Sequence, residues 1–374
     1  MAITAIKPIP VSFKEPNDFN SVRNLCFVRI EDSSGHVGWG EAVTMWEEST
    51  LATAEIIKGM EDLLIDKDPV KNNEIIDSMT DRVWWYGYKG GIAGFAISAI
   101  DIALWDLKGK ILEKNVLDLI GGPVREKIPV IASGHASLGS INELAEEAES
   151  WVDNGVHGIK IGWGKKGDSN LGFEINRDLE YVQKVREAIG ENKKFMIDLG
   201  WIIKWDVETA IERALAFEPY DIDWLEEPLG DWNPEGYKKL KSATSIRIGY
   251  GEKEWDMRGY DQILSTKTVD VVGFDPGRSR GITGFIDLVT KLEELDIQAN
   301  AHAWSSSIVT AASLSVSFKS KVCKVFEFKP LRNPIQDDLI SSPINHKDGW
   351  VYRLNNPGLG IEINEDYVKS IEYS

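Results

Sequence analysis

The feature that most constrains this chain is a regular alternation, between about residues 130 and 328, of short apolar runs with amphipathic segments. Runs such as "KFMID" and "VVGFD" are followed by stretches such as "NRDLEYVQKVREAIG" and "TGFIDLVTKLEELD", in which apolar residues recur at helical spacing. Short buried strands that each lead into a crossover helix build a parallel sheet. The strands are read at about Val130–Ser133, Gly158–Gly162, Phe195–Asp198, Trp224–Glu226, Arg247–Gly251, Val269–Asp275, Ile297–His302 and Val322–Phe328. Eight such strands favour closure into a barrel over an open sheet.

The flanks obey other periodicities. "LCFVRIEDSSGHVGWGEAV" alternates apolar and polar residues around Ser33, Ser34 and Gly35, an antiparallel hairpin. A helical block follows, strongest in "GGIAGFAISAIDIALWDLKGKILEKNVLDLIGG", and the end returns to short strands in "GWVYRL" and "GIEIN". The expected organisation is an α+β capping domain over residues 1–126, a barrel with the active site over 127–330, and a segment 331–374 that returns to the capping domain. The formal charge of −18 is spread through amphipathic segments, which excludes a phosphate-backbone footprint and so nucleic acid as a partner. With no apolar run of membrane-spanning length and no signal-like start, a cytoplasmic protein off the membrane is expected. Cys26 and Cys323 stand in apolar runs and read as buried free thiols.

Chemistry collects at the strand ends: Lys160, Asp198, Glu226, Glu252, Asp275, His302 and Glu327 are all ionisable. In a barrel these side chains, distant in sequence, converge on one mouth. Asp198, Glu226 and Glu252 come from neighbouring strands and would repel one another unless a cation sits among them; oxygen-only donors favour one Mg²⁺ ion over zinc. Asp275 and His302 end consecutive strands, where the carboxylate can fix the tautomer of the imidazole and make it a general base. Lys160 is placed across the mouth from His302, with a pKa that a nearby cation would lower. Glu227 must point away from Glu226. "GWGKKGDSNLG" lacks the phosphate-loop spacing, and neither Cys-x-x-Cys nor Gly-x-Ser-x-Gly occurs.

On these motifs the chain resembles the enolase superfamily and, within it, the mandelate racemase subgroup. "FMID", "WLEEPL" and "GYGE" look like the three metal-ligand strand ends, "FDPGRSRGITG" and "NAHAWSS" like the Asp and His dyad, and "VFEF" like the strand whose Glu meets the substrate. The resemblance implies a modified (β/α)8 TIM-type barrel, (β/α)7β, under an α+β N-terminal capping domain. It also implies Mg²⁺ on Asp198, Glu226 and Glu252, and a homo-oligomer. The chain departs from the subgroup's Lys-x-Lys pattern in "HGIKIGWG", which keeps Lys160 after Gly158; Lys166 is too far into the loop to stand in. Gly200 and Arg280 also depart from the subgroup's usual residues.

The chemistry implied is removal of the proton α to a carboxylate. For this chain the expectation is Mg²⁺-dependent dehydration of a sugar acid to a 2-keto-3-deoxy acid, a lyase reaction. His302 would take the proton, Lys160 or His302 would aid departure of water, and Glu327 would be protonated or paired with a substrate hydroxyl. The alternatives are a racemase or epimerase with Lys160 and His302 on opposite faces, and a non-catalytic protein of the same fold. A cycloisomerase is disfavoured because that subgroup carries a lysine where the dyad histidine acts. Loops at about Pro10–Asn24 and Thr44–Ser49 should cover the mouth, with Trp46 and Trp304 contacting substrate.

Overall fold

The computed structural model describes residues 1–374 except 137, 165–168, 201, 231, 303 and 374. Its first sheet is antiparallel, in the order β1 (Ile3–Glu15), β2 (Ser21–Asp32), β3 (Val37–Met45). The expected loop over Pro10–Asn24 is therefore mostly strand, since Glu15 pairs with Ser21 and only residues 16–20 turn. Pro8 and Pro10 interrupt the reading of alternation there, yet both are tolerated because β1 is an edge strand. The helix Ile92–Ile111 lies on this sheet and is buried along nearly its whole length, as expected of a helix apolar all round. Its close approach depends on two glycines of β3: a Cβ on Gly38 would lie 2.2 Å from the carbonyl oxygen of Ala103, and one on Gly40 1.9 Å from that of Ala99.

The second sheet is the barrel. Its strands are β4 (Lys127–His135), β5 (Gly158–Gly162), β6 (Lys194–Asp198), β7 (Trp224–Glu226), β8 (Arg247–Tyr250), β9 (Val271–Phe274), β10 (Gln298–Ala301) and β11 (Phe326–Phe328). They run parallel in the order β10-β9-β8-β7-β6-β5-β4-β11, and the seam is closed by a bridge between Ala299 and Cys323. A helix follows each of β4 to β10, among them Ile141–Val152, opened by a capping box between Ser140 and Glu143, and Ser307–Lys319, capped by Ser306. A last strand, β12 (Trp350–Tyr352), pairs antiparallel with the start of β4, and the chain ends against β1 where the Tyr373 N–H donates to the Pro10 carbonyl. Cys26 and Cys323 are buried free thiols.

Period-two alternation places the site. Inside the barrel Ile131, Met196, Trp224, Val271 and Val325 pack together as an apolar floor. Two residues above Met196, Trp224 and Val325 on the same inward face stand Asp198, Glu226 and Glu327. The fold thus lifts the carboxylates to the mouth while their strands stay anchored in hydrocarbon.

Candidate active site

Asp198 and Glu226 sit in register on β6 and β7, and Glu252 follows β8 by two residues. Oxygens of the three lie within 4.8 Å of one another. Glu226 is held from below by Trp224, whose Nε1–H donates to Oε2 at 3.0 Å. Glu252 Oε2 is buried without a hydrogen-bond partner, a cost that a bound cation would remove. Five carboxylates, these three with Asp275 and Glu327, surround Lys160 and His302. Burial raises the pKa of Glu226 to about 8, with Asp198, Glu252 and Glu327 adding to the push against the pull of Lys160. Donor type, clustering and this excess of negative charge all fit a hard divalent ion.

Lys160 departs from its expected place. The strand has the bounds read from the sequence, Gly158–Gly162, but Lys160 stands two residues before its end, so it is not at the rim but one layer down, buried beneath the mouth. Its Nζ lies 2.9 Å from Glu327, 3.0 Å from Glu226 and 3.3 Å from Asp198. Burial favours loss of its proton, but the surrounding carboxylates hold the pKa well above the ordinary lysine value, opposite to the expected lowering. Glu327 is likewise already engaged: its Oε1 accepts from Asn300 Nδ2 at 2.6 Å and faces Lys160, while Oε2 has no hydrogen-bond partner. Glu227 does turn away from the cluster, to an ion pair with Lys253. Lys166 lies outside the described residues.

The dyad is formed. Asp275, buried, accepts the Gly277 N–H at 2.8 Å on Oδ1 and meets His302 Nδ1 at 2.7 Å on Oδ2. That leaves His302 Nε2 turned to the carboxylate cluster, 3.9 Å from Glu252. Burial lowers the imidazole pKa, but Glu252 and Asp275 outweigh it and lift the value to about 9.

Dyad, lysine, Asp198, Glu252 and Glu327 line one cavity of about 510 Å³, in the range of small-molecule sites. Trp46, more than half exposed at the end of β3, and Trp304, buried, both line it. Trp304 is fixed by a hydrogen bond from Nε1 to the Ser133 carbonyl and carries the Arg23 guanidinium over its ring at 5.1 Å. A second cavity of about 570 Å³, among Arg332, Asn345 and His346, holds neither the metal triad nor the dyad. Arg23 and His135 are among the cavity residues that escaped the sequence reading, as are Lys253, Trp255 and Arg278. His135 ends β4, and the strand-end rule finds it once β4 is carried past Ser133.

Comparison with known proteins agrees with this geometry. The family models that match are the mandelate racemase/muconate lactonizing enzyme N-terminal domain over residues 4–121 and the enolase C-terminal domain-like model over residues 143–367. The chain is 28% identical to a D-galactarolactone cycloisomerase of Agrobacterium fabrum, covering 98% of this chain and 97% of that one. It is also 28% identical to a D-gluconate dehydratase of Thermoproteus tenax, covering 97% and 72%. The solved 3,6-anhydro-D-galactonate cycloisomerase of Zobellia galactanivorans superposes with a TM-score of 0.89 at 27% identity over 100% of both chains. Cycloisomerases thus stand among the relatives, against the expectation that set that class aside. With both family models matched in order along a capping sheet and a nearly closed parallel barrel, the chain belongs to the enolase superfamily, in its mandelate racemase/muconate lactonizing enzyme family.

Proposed function

We propose that the protein is a Mg²⁺-dependent sugar-acid dehydratase, a hydro-lyase whose product is a 2-keto-3-deoxy acid. The observation that carries the reading is the juxtaposition, in one cavity, of a three-carboxylate cluster with a carboxylate-oriented imidazole whose second nitrogen faces it. Asp198, Glu226 and Glu252 would hold the ion, which would supply Lewis acidity toward the substrate carboxylate and offset the Glu252 charge that keeps His302 protonated. Asp275 holds the proton of His302 on Nδ1, so Nε2 is the atom that takes the proton α to the carboxylate. Lys160, caged by carboxylates, serves as a fixed positive charge beneath the reacting carbons rather than as a proton donor. Trp46 and Trp304 wall the cavity and limit water there. The dehydratase name of one relative supports elimination of water as the outcome.

A second reading, sugar-acid cycloisomerisation, is favoured by the names of the other two relatives and shares the same proton abstraction. The test is proton NMR of the protein with Mg²⁺ and a panel of hexonic, pentonic, 6-deoxyhexonic and aldaric acids and their lactones. Loss of the C3 carbinol signal with growth of a C3 methylene supports dehydration. Conversion of a lactone or anhydro ring without release of water would replace it with cycloisomerisation, and a wholly silent panel would overturn both.

A further inference from the structure

The row of residues at the mouth has one position without a side chain. Across four adjacent parallel strands the register pairs His135 with Gly162, Gly162 with Asp198 and Asp198 with Glu226. Residues in register on parallel strands share a face, so His135 points to the same side as the two metal-ligand candidates, into the barrel. Gly162 contributes nothing there, and its space is taken: a Cβ built on it would lie 2.4 Å from Nδ1 and 3.0 Å from Cε1 of His135. The imidazole therefore leans over β5 toward β6. It is packed 4.6 Å from the Trp304 ring, which the Ser133 carbonyl anchors. It is half-buried, with both ring nitrogens shielded from bulk solvent, and it lines the same cavity as Lys160, Asp198 and His302.

His302 rises from β10, on the other side of β11 and β4, so the two imidazoles reach the cavity from different parts of its wall. The caged Lys160 of β5 lies a layer lower, with three carboxylate contacts to break before it could give up a proton. We propose that His135 is a further catalytic residue, the group that contacts the leaving hydroxyl of the substrate and delivers its proton. This rests on the dehydratase reading.

The proton count closes with the two histidines alone. His302 Nε2 takes the proton from C2, and the electron pair of that C–H bond passes into the enediolate. As the pair returns to form the C2=C3 double bond, the C3–O bond breaks, and the departing oxygen takes the His135 proton and leaves as water. The resulting enol loses its hydroxyl proton to His135 and gains at C3 the proton held by His302, which gives the 2-keto-3-deoxy acid and restores both residues.

The experiment compares wild type and His135→Gln in D₂O with Mg²⁺ and the sugar acid that the wild type dehydrates in the panel. Exchange of the C2 proton and appearance of the C3 methylene are followed separately by NMR, and Mg²⁺ affinity is followed by calorimetry. The expected result is that methylene formation falls by ~100-fold or more, while C2 exchange persists and Mg²⁺ affinity changes less than threefold. Equal loss of exchange and elimination, or a parallel loss of Mg²⁺ binding, would make His135 a structural support of Asp198 and overturn the proposal. So would wild-type elimination in the variant. His135→Asn, a shorter side chain, is run beside it, so that a folding defect of one variant does not decide the outcome. A wild type that neither exchanges nor eliminates with any acid fails the dehydratase reading first, and this inference with it.

Discussion

At the scale of single residues, the buried ammonium of Lys160 shows how closely stability and function are bound in this site. It is the cation against which Glu226, Asp198 and Glu327 are folded. Removing one partner of a buried ion pair leaves uncompensated charge, at a cost of ~3–5 kcal/mol. Lys160→Met should therefore lower unfolding stability by about that much in urea titrations without metal, and saturating Mg²⁺ should restore a large part of it. Equal stability of variant and wild type in the absence of Mg²⁺ would contradict the cage. Asp275 acts through His302 rather than on substrate. Asp275→Asn should lower turnover by ~100-fold or more with little change in KM, a split that mere loosening of the pocket would not produce. The ionisable strand ends were legible in the sequence because chemistry and period-two alternation coincide there. The depth of Lys160 was not, since Gly158, Lys160 and Gly162 share one face and nothing in "GIKIG" says which layer meets solvent.

At the scale of elements, β3 and the helix packed on it set how the capping domain meets the barrel. The helix Ile92–Ile111 couples capping sheet to barrel: Asp101 accepts the backbone N–H of Thr283 at 3.0 Å, in the helix that follows β9. The Gly38 and Gly40 contacts set its distance from β3. Gly40→Ala should thus force helix and sheet apart and cost ~1–3 kcal/mol, measured as a lower urea midpoint with an unchanged slope; an unchanged midpoint would show that the helix yields freely. Element type was readable along most of the chain because helical and strand periodicities differ so plainly. What was missed has local causes. The prolines of β1 masked a strand that is tolerated only as an edge. β4 was cut short at Ser133 because "GHA" no longer looks apolar, although its hydrogen-bonding partner β5 carries it on to His135. That early stop also hid the imidazole.

At the scale of the whole molecule, buried acids join the capping domain to the barrel. Glu41 of β3 accepts hydrogen bonds from the hydroxyls of Ser305 and Ser306 and from the Val309 N–H, just beyond His302. Burial raises Glu41 to about 7 from an ordinary 4.5 and Asp101 to about 7 from 3.8, with their hydrogen bonds pulling the other way. A carboxyl whose pKa is higher in the folded state adds stability that is complete below its unfolded pKa and disappears as pH rises through the folded value. The melting temperature of wild type should accordingly decline between about pH 4.5 and 7.5, and Glu41→Gln should flatten part of that slope. A variant with the same slope as wild type would remove Glu41 from the linkage. Closure of the barrel was expected from the strand count; the domain contacts came only from the structure, because they join residues more than 150 positions apart whose types alone do not pair them.

The central claim is that the carboxylate cluster and the dyad form one proton-abstracting centre, and exchange of the substrate C2 proton in D₂O tests it most directly. With any sugar acid that the wild type processes, exchange should stop on removal of metal and return with Mg²⁺. It should fall by at least ~100-fold in His302→Asn while Mg²⁺ affinity and melting temperature stay near wild type. Exchange that survives thorough chelation, or runs at the wild-type rate in His302→Asn, would contradict the account.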